Sequence, residues 1–161
     1  MVPLHPQEVE RQAALENLGL LETPTEERFD LITKEALDKL HVPIATISLI
    51  DREREWFKSC QGLSTREGPR EISFCGHALL AKHIFVVEDT LLDDRFKNNP
   101  YVTGAPFVRF YAGSALNDFS SGLPVGVFCV KDTVPRKFTN EELAIFMELA
   151  DRAEKEVNHQ A

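Results

Sequence analysis

Two helix-start signals bracket a stretch rich in β-branched residues, and this order limits the folds open to the chain. Residues 23–26 (TPTE) and 139–142 (TNEE) each place a glutamate three residues after a threonine, which is the pattern of a capping box. Between them, residues 44–50 (IATISLI) and 125–131 (VGVFCVK) have the composition of buried strands. Helices at both ends of a set of strands predict an α+β domain with a mostly antiparallel sheet.

The predicted elements follow one another without internal repeats or low-complexity tracts. Helical spacing of apolar residues predicts four helices, and short apolar runs between turn signals predict five strands. The helices cover residues 7–18, 23–40, 73–81 and 139 onward, and the strands cover 44–50, 56–60, 84–88, 107–116 and 125–131. Residues 61–70 and 89–106 are predicted loops, and the second is long enough to suggest a binding loop.

Length and charge point to one soluble domain. The 161 residues suffice for a single core, and 43% hydrophobic with 27% charged residues is typical of globular proteins. The formal net charge of -8 argues against binding to nucleic acid or anionic lipid. We see no secretion signal and no membrane-spanning segment. Three widely spaced cysteines, Cys60, Cys75 and Cys129, predict reduced thiols, so we expect a cytoplasmic protein.

Two polar clusters, residues 73–77 (SFCGH) and 109–113 (RFYAG), interrupt the apolar pattern and are candidates for a site. In a strand, Phe107, Arg109 and Tyr111 share one face. A buried guanidinium is costly without a partner, so Arg109 pairs either with an acidic residue of the adjoining loop or with a ligand. The acidic candidates are Asp89, Asp93 and Asp94.

Catalytic and metal sites have little support in the sequence. Cys75 and His77 lie two positions apart, so on a helix their side chains point about 200° apart and do not face one another. A buried core thiol is the alternative for Cys75. The cysteines and histidines lack the paired spacing of a zinc site, and glycine-rich phosphate loops and nucleophile elbows are absent from the sequence. We predict no catalytic residue and no metal ligand.

A series of short motifs runs through the chain in a fixed order. They include residues 18–24 (LGLLETP), 27–30 (ERFD), 43–45 (PIA), 48–51 (SLID), 56–58 (WFK), 73–75 (SFC), 94–96 (DRF), 99–100 (NP), 109–113 (RFYAG) and 135–136 (PR). With these motifs the chain resembles the GAF domain family, in particular the subgroup found at the N-termini of bacterial signalling proteins. The resemblance covers about residues 15–157 and implies that residues 1–161 form a single GAF domain.

The resemblance implies a GAF- or PAS-like central antiparallel sheet, with the terminal helices on one face and short helices and loops over a pocket on the other. It implies a non-enzymatic sensory or regulatory domain that binds an unknown small molecule, forms a homodimer, or both, with no nucleic-acid or membrane partner. A cofactor is not specified. The candidate ligand-binding residues are Ser73, Phe74, Cys75, Asp89, Phe96, Asn99, Arg109, Tyr111 and Phe128.

Three alternatives within the resemblance stay open. Free methionine sulfoxide reductases have this fold and use three cysteines near the pocket loops, whereas the cysteines here are spread over different predicted elements. Bilin-binding relatives attach the chromophore to a cysteine followed by histidine, but Gly76 intervenes here. A dimerisation module without a ligand would use the first and last helices, with Leu143, Phe146, Ala150 and Ala153 at the interface.

The sequence departs from the subgroup near its end. Residues 127–132 read VFCVKD, where the subgroup usually has threonine-leucine-cysteine-valine-isoleucine-aspartate. Ala115 also stands where a proline is common. These differences imply a bulkier pocket floor.

Overall fold

The structure, a computed structural model, describes residues 2–159. Its strands are β1 (Ile44–Ile50), β2 (Arg54–Gln61), β3 (Glu67–Pro69), β4 (Phe85–Val87), β5 (Phe110–Asn117) and β6 (Pro124–Asp132). Its helices are α1 (Glu8–Asn17), α2 (Glu27–Leu40), α3 (Phe74–Ala78), α4 (Pro100–Thr103) and α5 (Asn140–Asn158), with short 3-10 turns at Arg70–Ile72 and Thr90–Leu92.

The six strands form one antiparallel sheet in the order β3-β2-β1-β6-β5-β4. This confirms the predicted α+β fold. The predicted domain of residues 1–161 extends beyond the described residues by one residue at the start and two at the end, and its limits stay a prediction. None of the helices within residues 2–159 combines the length and apolar character that a bilayer crossing requires.

Both faces of the sheet are covered, so its central strands are buried along their whole length. Every residue of β1 and β6 is buried. Because side chains alternate along a strand, Phe128 and Val130 of β6 pack in the core beneath α1, α2 and α5, whereas Val127 and Cys129 pack in a second core beneath α3.

The helix-start signals have different outcomes. Thr139 forms the predicted capping box, since its side chain accepts a hydrogen bond from the Glu142 amide and the Glu142 side chain bonds back to Thr139. The predicted start of the second helix at residues 23–26 is wrong, because α2 begins at Glu27. The Thr23 hydroxyl is engaged elsewhere and accepts a hydrogen bond of 2.7 Å from the buried ammonium of Lys58.

The strand predicted from Phe107 also begins too early. Phe107 has a φ of +59° and is exposed, and a positive φ is incompatible with a strand. Arg109 therefore lies just before β5 and not within it. The predicted loops also contain short elements that the sequence pattern missed: β3 in the first, and α4 in the second.

Most of the apolar face of the last helix is buried in the core. Phe146, Ala150 and Ala153 are buried in the core of α1, α2 and α5, while Leu143 and Met147 are exposed. Of the side chains predicted to form a dimer interface, only Leu143 is therefore available on the surface. Homodimerisation through the first and last helices stays a prediction.

An ionic cluster with two buried guanidinium groups connects the first helix to the turn that leads to α3. The Glu8 carboxylate of α1 accepts hydrogen bonds from Arg11 at 2.9 Å and from Arg70, in the turn that leads to α3, at 2.7 Å. Arg11 also donates to the carbonyl of Pro124 at the start of β6. Burial raises the pKa of Glu8, but the bonds from both guanidinium groups outweigh it and lower that pKa from 4.5 to about 2.

We predict that Glu8→Gln destabilises the protein at neutral pH by about 2 kcal/mol, because two buried guanidinium groups lose their counter-ion. Since the folded-state pKa is depressed, the stabilisation is complete above pH 4.5 and is lost as the pH falls toward 2. Urea unfolding of both proteins at pH 7 and pH 3 measures this: the difference between them shrinks at the lower pH. Glu10→Gln, an exposed change on the same helix, is the control. Equal stability of Glu8→Gln and wild type at pH 7 would contradict the prediction.

Candidate functional site

Four of the predicted site residues, two of them in α3 itself, form a packed cluster between α3 and the sheet. The ring of Phe74 stacks on Phe96, with centroids 4.6 Å apart, and on Tyr111 at 5.2 Å. The Tyr111 hydroxyl donates a hydrogen bond of 3.1 Å to the Cys75 sulfur. All four side chains are buried, so the space directly beneath α3 is filled by protein.

Arg109 has an intramolecular partner. Its guanidinium donates to both carboxylate oxygens of Asp89 at 3.1–3.2 Å, and both side chains are partly exposed. Of the three acidic candidates, Asp93 pairs instead with Arg95, and Asp94 pairs with Lys97. Among the three aspartates, the structure thus pairs Arg109 with Asp89, and contact of either side chain with a ligand stays a prediction.

Ser73 and Asn99 fix the backbone around the cluster. The Ser73 hydroxyl accepts from the Gly76 amide at 3.0 Å and donates to the Arg70 carbonyl at 2.8 Å. Asn99 accepts from the Tyr101 amide at the start of α4, and its side-chain amide donates to the Ile72 carbonyl at 3.0 Å. Both side chains therefore connect the short helices that cover this face, and a contact with a ligand stays a prediction for each.

The position predicted for Phe128 is wrong. Phe128 lies on the opposite face of the sheet, where its ring packs 5.1 Å from that of Phe146 in α5. Strand alternation is the reason, because the neighbours of Phe128 in β6, Val127 and Cys129, are the residues that face α3.

The thiols are poorly placed for nucleophilic chemistry. Cys75 and Cys129 are fully buried, and burial raises the pKa of Cys75 well above its usual range. His77 does not pair with Cys75 but packs edge-on to Phe96, with centroids 5.0 Å apart. Within residues 2–159, His, Cys, Asp and Glu side chains do not gather in any group of three that could hold a metal ion.

An open cavity lies beside the packed cluster, between the sheet and the loops that follow β2 and α4. Its volume is about 250 Å³. Its lining residues are Glu55, Phe57, Leu63, Ser64, Thr65, Glu67, Gly68, Tyr101, Ala105, Pro106, Val108 and Lys131. None of the predicted site residues is among them, although the Lys131 ammonium lies 6.0 Å from the ring centre of Phe74. The cavity therefore adjoins the predicted site without coinciding with it.

The cavity contains two buried charged side chains. Lys131 of β6 and Glu55 of β2 are 5% and 3% exposed. Burial on its own lowers the pKa of Lys131, but nearby acidic groups, Cys129 and Glu55 foremost, raise it above its usual value, so the ammonium stays charged.

A larger groove of about 660 Å³ beside α5 is lined by residues such as His83 and Met147, and it lacks a buried charge.

Sequence reasoning missed both charged residues, although each left a signal. Lys131 stands where the motif of the resembling subgroup has isoleucine, a departure noted above only as a change of volume. Glu55 lies next to Trp56 in a strand, so alternation places it on the face opposite that large apolar ring. In a sequence, a charged residue at a strand position that the alternation predicts to be buried is therefore the signal that indicates such a site.

Comparisons with known proteins agree with this fold. The GAF domain family model matches residues 24–157, and the chain belongs to the GAF domain family. It is 46% identical over 135 residues to a cyclic di-GMP phosphodiesterase of Pseudomonas aeruginosa; this match covers 83% of the chain but only 23% of that enzyme.

Solved structures show the same fold at low identity. The GAF domain of a phosphoenolpyruvate-protein phosphotransferase from Coxiella burnetii has a TM-score of 0.68 and 16% identity, over 94% of both chains. A free methionine-R-sulfoxide reductase from Neisseria meningitidis, solved with its substrate, has a TM-score of 0.63 and 19% identity, over 98% of both chains. At these identities the likeness concerns the fold alone.

We predict that in the folded protein a maleimide reagent modifies at most Cys60, the one cysteine that is partly exposed. Burial excludes the reagent from Cys75 and Cys129, and thiolate chemistry needs an accessible thiol. Mass spectrometry after labelling, with and without denaturant, counts the modified residues. Cys60→Ser is the control and is expected to remain unlabelled until it unfolds. Labelling of Cys75 or Cys129 in the native protein as fast as that of Cys60 would contradict the prediction and would favour the reductase alternative.

Proposed function

We propose that this domain is a non-enzymatic sensor that binds a small molecule in the cavity bounded by Glu55, Leu63, Tyr101 and Lys131. The observation that carries the proposal is that this cavity holds two buried charges. Ligand sites combine apolar walls with a few polar groups, and the apolar walls here are Phe57, Leu63 and Val108.

The comparisons support a regulatory role of this kind. GAF domains occur in signalling proteins, and the phosphodiesterase that this chain resembles is more than four times as long as the matched part. We infer that a domain of this type reports the presence of its ligand to a catalytic or output unit. The three free thiols fit a reducing compartment, so a cytoplasmic location stays our expectation.

The reductase alternative has weaker support. It needs a reactive thiol beside the bound substrate, but Cys75 and Cys129 are buried and the cavity lining contains no cysteine. The predicted cluster around Tyr111 and Cys75 serves better as the packed wall that limits one side of the cavity.

We predict that a screen of small polar metabolites by thermal unfolding finds a stabilising compound, and that Leu63→Trp abolishes its effect. The larger ring occupies the cavity and excludes the ligand. At a ligand concentration one hundred times Kd, the wild type is expected to gain about 2.7 kcal/mol, or roughly 5–10 °C in Tm for a domain of this size.

Leu92→Trp is the matched control, because Leu92 is exposed in the 3-10 turn at Thr90–Leu92 and does not line the cavity. It is expected to respond to the ligand as the wild type does. A hit that stabilises Leu63→Trp as much as the wild type would show that it binds elsewhere, and a screen without hits would remove the support for a sensor.

A further inference from the structure

Lys131 and Glu55 face the same cavity, yet they do not neutralise each other. Among residues 2–159, no carboxylate lies within 4.0 Å of the Lys131 ammonium, and the Glu55 Oε2 atom has no hydrogen-bond partner. An isolated buried charge is strongly unfavourable unless something pairs with it. Two opposite charges are thus held apart across a space that other atoms can fill.

The backbone explains why the two charges stay apart. Lys131 lies opposite Ile44 at one end of β1, and Glu55 lies opposite Ile50 at the other end, with β1 between their strands. Acidic neighbours, Cys129 first and Glu55 after it, raise the pKa of Lys131. Both side chains nevertheless reach the same cavity.

The remaining walls are compatible with a short apolar group and one further hydrogen bond. Phe57 and Val108 are buried apolar residues of the lining, and Leu63 is partly buried. The Tyr101 hydroxyl lies close to Gly68, where an added Cβ would be only 2.9 Å from it. Burial, followed by the charge of Glu55, raises the pKa of Tyr101, so its phenol keeps its proton and can donate.

We infer that the cavity binds a small zwitterion of the α-amino-acid class with an apolar side chain, its carboxylate pairing with Lys131 and its ammonium with Glu55. This rests on the proposed function, of which it specifies the ligand. A cavity of about 150 Å³ holds one benzene molecule, so the 250 Å³ here accommodates an amino acid. A dicarboxylate would set an anion against Glu55, and a diamine would set a cation against Lys131. Only a ligand with both signs satisfies both residues.

The test compares matched compounds that lack one charge each. L-phenylalanine, hydrocinnamate without the ammonium, and phenethylamine without the carboxylate form one series. L-leucine, isocaproate and isopentylamine form a second, smaller series. Binding to the wild-type protein is measured by isothermal titration calorimetry and thermal unfolding. We expect at least one of the two amino acids to bind about tenfold or more tightly than either of its singly charged analogues, because a charge-assisted contact is lost in each analogue.

Two variants separate the roles of the charges. Lys131→Met is expected to weaken binding of the amino acid and the carboxylate about tenfold, while binding of the amine is not weakened. Glu55→Gln is expected to weaken binding of the amino acid and the amine, while binding of the carboxylate is not weakened. Lys137→Met and Glu141→Gln, at exposed positions outside the cavity, are the matched controls and are expected to bind as the wild type does.

The outcomes separate this inference from the proposed function. A neutral or singly charged ligand that is sensitive to Leu63→Trp, while neither amino acid outbinds its analogues, overturns the inference and leaves the sensor proposal standing. If none of these six compounds binds, the inference fails, and the sensor proposal fails as well only if the metabolite screen also finds no compound that depends on Leu63. The wild-type comparison alone decides the inference if either cavity variant does not fold.

Discussion

The alternation of side chains along β6 is the constraint on which both cores and the cavity depend. This strand pairs with β1 and β5 near the centre of the sheet, and helices or loops cover both of its faces. Successive side chains must therefore enter one core or the other. Phe128 and Val130 enter the core beneath the long helices, and Val127, Cys129 and Lys131 turn to the opposite face. A lysine at this register is 5% exposed, and its charge lines the open cavity on that face.

The second face divides into a filled half and an open half. Phe74, Phe96 and Tyr111 stack beneath α3 and occupy the half over β5 and β6. The other half, over β2 and next to β3, is covered by loops and remains open. The cluster of Glu8, Arg11 and Arg70 joins this cover to α1 at the end of the sheet. The short segment between β3, whose Glu67 and Gly68 line the cavity, and α3 thus carries the arginine, Arg70, that bonds to α1.

Much of the fold could be predicted from local patterns, while the site depended on contacts that such patterns do not contain. The limits of β1 and the capping box at Thr139 follow from β-branched composition and from spacing within four residues. The sequence offers three aspartates as partners of Arg109, because the choice among them depends on how the loop of residues 89–106 folds back toward Arg109. Phe128 was assigned to the wrong face because aromatic character says nothing about the register of a strand. Lys131 and Glu55 are distant in sequence, and only the pairing of three strands brings them to one cavity.

A crystal structure of the protein grown with L-phenylalanine or L-leucine, whichever binds more tightly, tests the central claim most directly. The account predicts density for the amino acid in the cavity, with its carboxylate within hydrogen-bond distance of the Lys131 ammonium and its ammonium within that distance of the Glu55 carboxylate. A structure in which the ligand lies elsewhere, or in which Lys131 and Glu55 close the cavity by pairing directly with each other, would contradict it.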